Sequence, residues 1–196
     1  MQKPRSVGVI FFLAAWGAAA LSGCGPTWNW RDVRLDDAGL TALLPCKPDR
    51  AVRQVQLGSA APQDLTMVGC DAGGATFAVS HLLIDEPAQA SATLALWQSA
   101  VRARMQASAT ADTDATVNAD AAKVFAPTGA LRLPQSVRVR LAAQSRDGSS
   151  PVADAVWFAR LEGAQARLYH AVVVSAASKP APAQAVQTFL DGLRLQ

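Results

Sequence analysis

Two long apolar segments in the last quarter of the sequence constrain the fold most strongly. Residues 152–161 and 167–175 are rich in valine, alanine and aromatic side chains, and a short connection at Glu162-Gly163 joins them. Each is partly apolar on both faces of an extended strand, and strands of this kind lie in the middle of a sheet. The pair therefore predicts two adjacent strands at the centre of a covered sheet.

Further strands are predicted before this pair. Val137, Val139 and Leu141 alternate with Arg138 and Arg140, which indicates a half-buried strand with a basic outer face. Shorter strand candidates come earlier in the sequence, at residues 40–44, 52–57, 65–70 and 75–84. The sequence therefore predicts about six or seven strands.

Two amphipathic helices are expected between and after the strands. The apolar residues that recur at helical spacing are Leu94, Trp97, Val101 and Met105 in the first helix and Val186, Phe189, Leu190 and Leu193 in the second. Strands and helices thus come in the order strands, helix, strands, helix. This order favours an α+β fold, an antiparallel sheet covered by two main helices.

The N-terminal segment has the pattern of an export signal. Lys3 and Arg5 precede residues 7–21, which carry no charge. As a helix this run would rise about 22 Å, which is short for a membrane span but typical of a signal peptide. The run ends in Leu21-Ser22-Gly23-Cys24, which resembles the lipobox of bacterial lipoproteins. The alternatives are a plain signal peptide or an uncleaved anchor helix.

The lipobox resemblance implies a covalent lipid on Cys24. We expect no other cofactor. The thiol would receive a diacylglycerol group, cleavage before Cys24 would free its amine, and a further acyl chain would follow. Two or more chains hold a protein on a bilayer, whereas one chain binds only marginally. Since Gly25 rather than aspartate follows the cysteine, the resemblance implies a place on the periplasmic face of the outer membrane.

The expected organisation has three parts. Residues 1–23 form the signal peptide, residues 24–36 the lipidated N-terminus and tether, and residues 37–196 a single α+β domain. Without residues 1–23 the formal charge falls from +3 to +1, because two of the 18 basic residues and no acidic residue lie there. The chain has no dense basic cluster, so we expect no nucleic-acid partner.

Cys46 and Cys70 remain once Cys24 is assigned to the lipid. An even number of cysteines in an exported domain predicts a disulfide. This bridge would join the ends of the first and third strands of one meander. Two reduced thiols are the alternative; a two-cysteine metal site is weaker, because neither cysteine lies in a CxxC pair.

Trp28 and Trp30 lie a few residues after Cys24. Two positions apart, they would point to the same side of an extended segment. They are candidates for contact with the membrane or a partner, because indole rings favour the interface. Alternatively, they pack on the domain. Arg138 and Arg140 are a second candidate contact, for lipid headgroups or an acidic partner, unless they form a solvated strand face.

No set of residues predicts catalysis or a metal site. His81 and His170 each lie inside a predicted strand, outside any HxH, HExxH or nucleophile-elbow pattern. The glycine-rich segment 69–74 lacks the lysine and following helix of a phosphate loop, so it predicts a β-turn. We therefore expect no catalytic residue.

Two segments carry a further resemblance. The segment ARLEGAQARLYHAVVVSAASKPAPAQAVQTFLDGLRL and the segment LTALLPCKPDR are similar to the end and the opening strand of exported PsbP-like domains. The chain also resembles uncharacterised proteobacterial lipoproteins that pair Asn-Trp-Arg near the anchor with Pro-Cys-Lys-Pro. The resemblance implies a PsbP-like sandwich and transfers no catalytic residue.

The leading hypothesis is a non-enzymatic, lipid-anchored binding or accessory domain of the cell envelope. Its partners would be the membrane, through the lipid, and an envelope protein. The alternatives are a carrier that encloses a small hydrophobic ligand between sheet and helix, and an envelope enzyme whose site is assembled only by folding. A deep pocket with a histidine, a nucleophile and an acid would favour the enzyme, and a large dry cavity the carrier.

Overall fold

The computed structural model describes residues 27–58, 61–109, 117–143 and 150–196. The helices in these ranges are α1 (Ala90–Ala109) and α2 (Ala183–Asp191), with short 3-10 turns at Asp36–Ala38 and Pro87–Gln89. The strands are β1 (Arg31–Leu35), β2 (Leu40–Leu44), β3 (Asp49–Val55), β4 (Gln63–Ala72), β5 (Ala75–Ile84), β6 (Val117–Ala119), β7 (Lys123–Val124), β8 (Val137–Ala143), β9 (Pro151–Glu162), β10 (Gln165–Ala176) and β11 (Arg194–Leu195).

The described strands form two antiparallel sheets. The large sheet has the order β3-β4-β5-β10-β9-β8-β6, and β7 also pairs with β8. The small sheet has the order β1-β2-β11. Strands β9 and β10 form a long hairpin, with β5 on one side and β8 on the other. The prediction that this apolar pair lies inside the sheet is confirmed.

The large sheet is covered on both faces. One face packs against the small sheet and α2, with Phe77, Phe158, Tyr169 and Phe189 in the core between them. The opposite face packs against α1, where Leu94 and other apolar helix residues meet the sheet. The two cores separate because successive residues of a strand point to opposite faces. The predicted α+β class, an antiparallel sheet covered by two helices, is confirmed.

The predicted apolar stripe of the first helix is also confirmed. Leu94, Trp97 and Met105 are buried, and Val101 packs beside them. They lie on one side of α1 because spacings of three and four residues return to the same helix face.

The position assigned to residues 40–44 was wrong. They form β2, the central strand of the small sheet, and do not join the meander of the large sheet. Four of the five residues of β2 are buried, because the strand has a neighbour on each side and packs into the core beneath α2. The chain then turns at Pro45 and crosses to β3, at the edge of the large sheet.

Ordered structure begins earlier than the expected boundary at residue 37. Residues 31–35, assigned to a tether, form β1 and pair with β2 from Arg31↔Leu44 to Leu35↔Leu40. The reason is apolar burial, since Leu35 is fully buried in the core. The predicted signal segment and Cys24 lie outside the described residues. Among those described, no helix is both long and apolar enough to span a bilayer.

Candidate functional site

Two stacked tryptophans lie at the start of the described residues, directly before β1. The ring centroids of Trp28 and Trp30 are 6.0 Å apart, and their planes differ by 15°. Both rings meet Phe77 edge-on, at 5.9 and 6.1 Å. Both are half-buried against the core beneath α2. Packing on the domain, one of the two alternatives from the sequence, is therefore confirmed, while a membrane or partner contact stays a prediction.

The turn between β4 and β5 lies directly against Trp28. Gly73 has a φ of +62°, and a Cβ placed there would lie 2.6 Å from Cη2 of Trp28. A Cβ on the next residue, Gly74, would lie 3.6 Å from Nζ of Lys179. Trp28, Trp30, Gly73, Gly74 and Lys179 thus form one end of the domain, which we name the entry end.

A disulfide lies next to the entry end. The sulfur atoms of Cys46 and Cys70 are 2.03 Å apart and their Cα atoms 5.9 Å. Cys46 follows β2 in the small sheet, whereas Cys70 lies within β4 of the large sheet. The bridge therefore ties the two sheets together, and the expectation that it would link two strands of one meander was wrong. Nearby, the backbone N–H of Asn29 donates to the carbonyl of Pro45 over 2.8 Å.

Arg138 and Arg140 lie on β8, on the α2 side of the large sheet. Arg138 donates to Oε1 of Gln187 in α2 over 2.8 Å. Arg140 forms an ion pair with Asp154 of β9 at 2.6 Å. Burial nevertheless raises the pKa of Asp154, although Arg140 opposes the shift. Both arginines thus already have partners within the domain, and their role as a partner contact stays a prediction.

The two predicted contact regions do not form one surface. Phe77, which both tryptophan rings contact, belongs to β5, whereas the arginines belong to β8. Three strand spacings separate β5 from β8, about 14 Å across the sheet. Phe189 of α2 contacts Phe77 with 5.6 Å between the ring centroids. The helix α2 therefore lies between the tryptophan pair and the arginine pair.

His81 lies in a cluster of charged side chains on the α2 side of the large sheet. Its Nδ1 lies 3.2 Å from Nη1 of Arg167, which in turn holds Glu162 through two hydrogen bonds of 2.6 and 2.9 Å. Its Nε2 lies 3.5 Å from the carboxylate of Asp37, which Arg50 also binds. Burial lowers the pKa of His81 to about 4, and the two arginines act in the same direction. The imidazole is therefore neutral at pH 7.

His170 lies on the opposite face of the sheet. Its ring stacks on Trp157, with 4.7 Å between the centroids, and lies 5.6 Å from Trp97 of α1. Burial lowers its pKa to about 3. Because His81 and His170 face different cores, they do not contribute to one site. The described residues contain no cluster of three His, Cys, Asp or Glu side chains that could hold a metal ion.

No pattern in the sequence indicates the charged cluster around His81. Its members come from the turn after β1 and from four different strands. They are Asp37, Arg50, His81, Glu162 and Arg167. Asp37 lies 44 positions before His81 in the sequence. Only the packing of the small sheet on the large one brings this carboxylate to His81.

A surface groove lies between α1 and the β3–β4 side of the large sheet. Its volume is about 330 Å³, and it is largely apolar. The residues that line it include Val55, Leu57, Leu65, Trp97, Val101 and Arg104. Val55 is the last residue of β3, so the groove opens beside the end of that strand.

Comparison with solved structures gives a structural likeness. The solution structure of cyanobacterial PsbP (CyanoP) from Synechocystis sp. PCC 6803 is similar over 91% of this chain and 99% of that chain, with a TM-score of 0.47 and 11% sequence identity. No family model matches the chain, and no curated protein does. At this identity and TM-score the likeness does not establish a family, so the PsbP-like resemblance stays a prediction.

Proposed function

We propose that the chain is a lipid-anchored protein of the bacterial cell envelope, whose domain binds an envelope component without catalysing a reaction. The packing of Trp28 on the β4–β5 turn, only four residues after Cys24, carries the proposal. Four residues span at most about 14 Å when fully extended. An acylated Cys24 would therefore hold the entry end within that distance of the bilayer surface and leave the opposite end free for a partner.

The composition of the entry end suits this orientation. The half-buried rings of Trp28 and Trp30 present apolar and N–H groups together, as side chains at membrane interfaces do. Lys179 is exposed beside the same turn. A lysine near an anionic membrane contributes roughly 1 kcal/mol of attraction. These groups would support the acyl chains, which provide the main anchor, on the periplasmic face of the outer membrane.

Metabolic labelling with a fatty acid tests the anchor. The full-length protein, expressed in a Gram-negative host, should incorporate the label and sediment with the membranes. Cys24→Ser should abolish both, because the acceptor thiol is lost. Ser22→Ala is the matched control, since it keeps a small residue in the lipobox and should remain labelled. Label that persists in Cys24→Ser would refute the anchor.

Fluorescence quenching by lipids brominated along their acyl chains tests the orientation. When the acylated protein is bound to such vesicles, the fluorescence of Trp28 and Trp30 should be quenched. Trp97 and Trp157 are buried in the opposite core, so their fluorescence should be unaffected. Trp28→Phe should reduce the quenched fraction. Membrane-bound, acylated protein without any quenching would contradict the proposed orientation.

A further inference from the structure

Strand β3 forms one edge of the large sheet. Among the described strands it pairs only with β4. Six of its seven residues are exposed, and no proline interrupts it. An edge of this kind carries a row of backbone N–H and C=O groups that another strand can bind.

The direction of these groups follows from the register. Each residue in an antiparallel strand points both backbone groups to one side, and paired residues share the bonds between them. The carbonyl of Ala159 accepts a hydrogen bond from Leu131, which lies beyond the end of β8, so this carbonyl points away from β10. The hydrogen-bonded pairs then run across the sheet as Phe158↔Tyr169, Leu168↔Leu82, His81↔Thr66 and Leu65↔Arg53.

Arg53 therefore bonds inward to β4, as do Ala51 and Val55, two positions away on either side. Arg50, Val52 and Gln54 alternate with them, so their backbone groups point outward. The opposite edge of the sheet supports this assignment of inward and outward residues. There the assignment requires the backbone groups of Arg140 to point away from β9, and the carbonyl of Arg140 accepts a hydrogen bond from Asp120, which lies outside β8.

The apolar groove on one face of the sheet and Arg50 on the other indicate which side chains an added strand would carry. Alternate side chains of such a strand would lie on the α1 face, where the groove opens beside Val55. The side chains of Arg53 and Val55 point to this face. Arg50 and Val52, which is 59% exposed, point to the opposite face, because Arg50 pairs with Val68, a residue of the core beneath α2. Acidic side chains on that opposite face would complement Arg50, which also binds Asp37, whereas basic ones would be repelled.

We propose that β3 binds an extended segment of a partner protein as an additional strand, with apolar side chains on the α1 face, directed to the groove, and acidic side chains on the opposite face, beside Arg50. The inference names the kind of partner for the proposed binding role and rests on that role. The edge and the groove themselves exist whether or not Cys24 carries a lipid.

A second copy of the chain fits the edge less well. In an antiparallel β3–β3 pair the two strands run in opposite directions. Strand β3 begins beside the entry end, since Asp49 pairs with Gly69 close to the β4–β5 turn. The entry ends of the two copies would then lie at opposite ends of the pair. Two copies anchored to one bilayer could therefore not both place their entry end at its surface.

Amide hydrogen exchange, read residue by residue on the intact chain, tests the open edge. In the free protein the amides of Arg50, Val52 and Gln54 should exchange fast, and those of Ala51 and Arg53 slowly. The opposite pattern, or protection of all five amides, would mean that the edge is closed and would overturn the proposal.

A synthetic probe then tests docking. The probe is an acetylated and amidated heptapeptide of alternating valine and glutamate, and its control replaces each glutamate by lysine. Addition of the acidic peptide should slow exchange of the three outward amides roughly tenfold or more, and the basic peptide should not. No slowing by the acidic peptide on the folded protein would overturn the proposal, and equal slowing by both would overturn the acidic chemistry.

Two proline variants provide the matched pair. Val52→Pro removes an outward N–H, so the protein should keep its melting temperature within a few degrees and lose peptide binding. Ala51→Pro removes an N–H bonded to β4, so it should lower the melting temperature. Undiminished peptide binding by folded Val52→Pro would overturn strand addition. Fatty-acid labelling remains a separate test, since loss of the anchor with intact peptide binding refutes only the proposed membrane placement.

Discussion

Replacing Gly73 by alanine should weaken the contact between the entry tryptophan and the domain. The residue has a φ of +62°, where a side chain costs about 1 kcal/mol. Its new Cβ would lie 2.6 and 2.7 Å from two ring carbons of Trp28, about 1 Å inside ordinary contact. The indole must therefore shift, which disturbs its contacts with Trp30 and Phe77, and each aromatic pair contributes about 0.5–1.5 kcal/mol. We expect Gly73→Ala to lower the free energy of unfolding by about 3 kcal/mol.

Gly163 provides a matched control for this substitution. It has the same φ of +62°, but a Cβ placed there meets no atom within 4 Å. Gly163→Ala should therefore cost only the backbone term, about 1 kcal/mol. Urea denaturation measures the difference between the stability losses of the two variants. This difference should disappear when Trp28→Ala is combined with each of them. Equal losses in the two variants would refute the proposed contact between Trp28 and the turn.

Two further predictions concern the disulfide and the buried histidines. Replacing both Cys46 and Cys70 by serine should lower the free energy of unfolding by about 3.5 kcal/mol, because the 24-residue separation is no longer closed in the unfolded chain; an unchanged denaturation midpoint would contradict this. The free energy of unfolding should also fall as pH drops below 6.5, because the unfolded chain binds protons that His81 and His170, with pKa values of about 4 and about 3, do not bind when folded. The slope should approach 1.4 kcal/mol per pH unit for each histidine, and equal stability at pH 7 and 4.5 would show that the histidines are not buried as described.

The parts of the fold that the sequence predicted are those with strong local patterns. The apolar segments of β9 and β10 and the stripe of α1 repeat their pattern over ten or more residues, so the period identifies the element. Strand β1 has only two alternating apolar residues, Val33 and Leu35, and β11 has two residues in all. Such short patterns do not differ from those of loops, so the small sheet was missed.

The candidate site was predicted only in part, for a related reason. The pairing of Trp28 with Trp30 follows from their spacing, and the cysteine count predicted the pairing of Cys46 with Cys70. The partners of these residues, Phe77 and Gly73 for the tryptophans, lie more than 40 positions away. The open edge of β3 also depends on the strand order, which local patterns do not contain. Contacts between distant elements therefore required the structure.

The small sheet sets a condition on the order in which the protein can fold. Strand β2 has β1 on one side, but its other neighbour, β11, lies near residue 195, and Arg194 pairs with Thr41. The side chain of Gln196 also donates to Thr41, across 155 positions. Long-range pairs of this kind form slowly, because a large loop must close before any contact is gained. The layer beneath α2 can therefore be completed only when nearly the whole chain is available, and until then one edge of β2 remains without its partner strand.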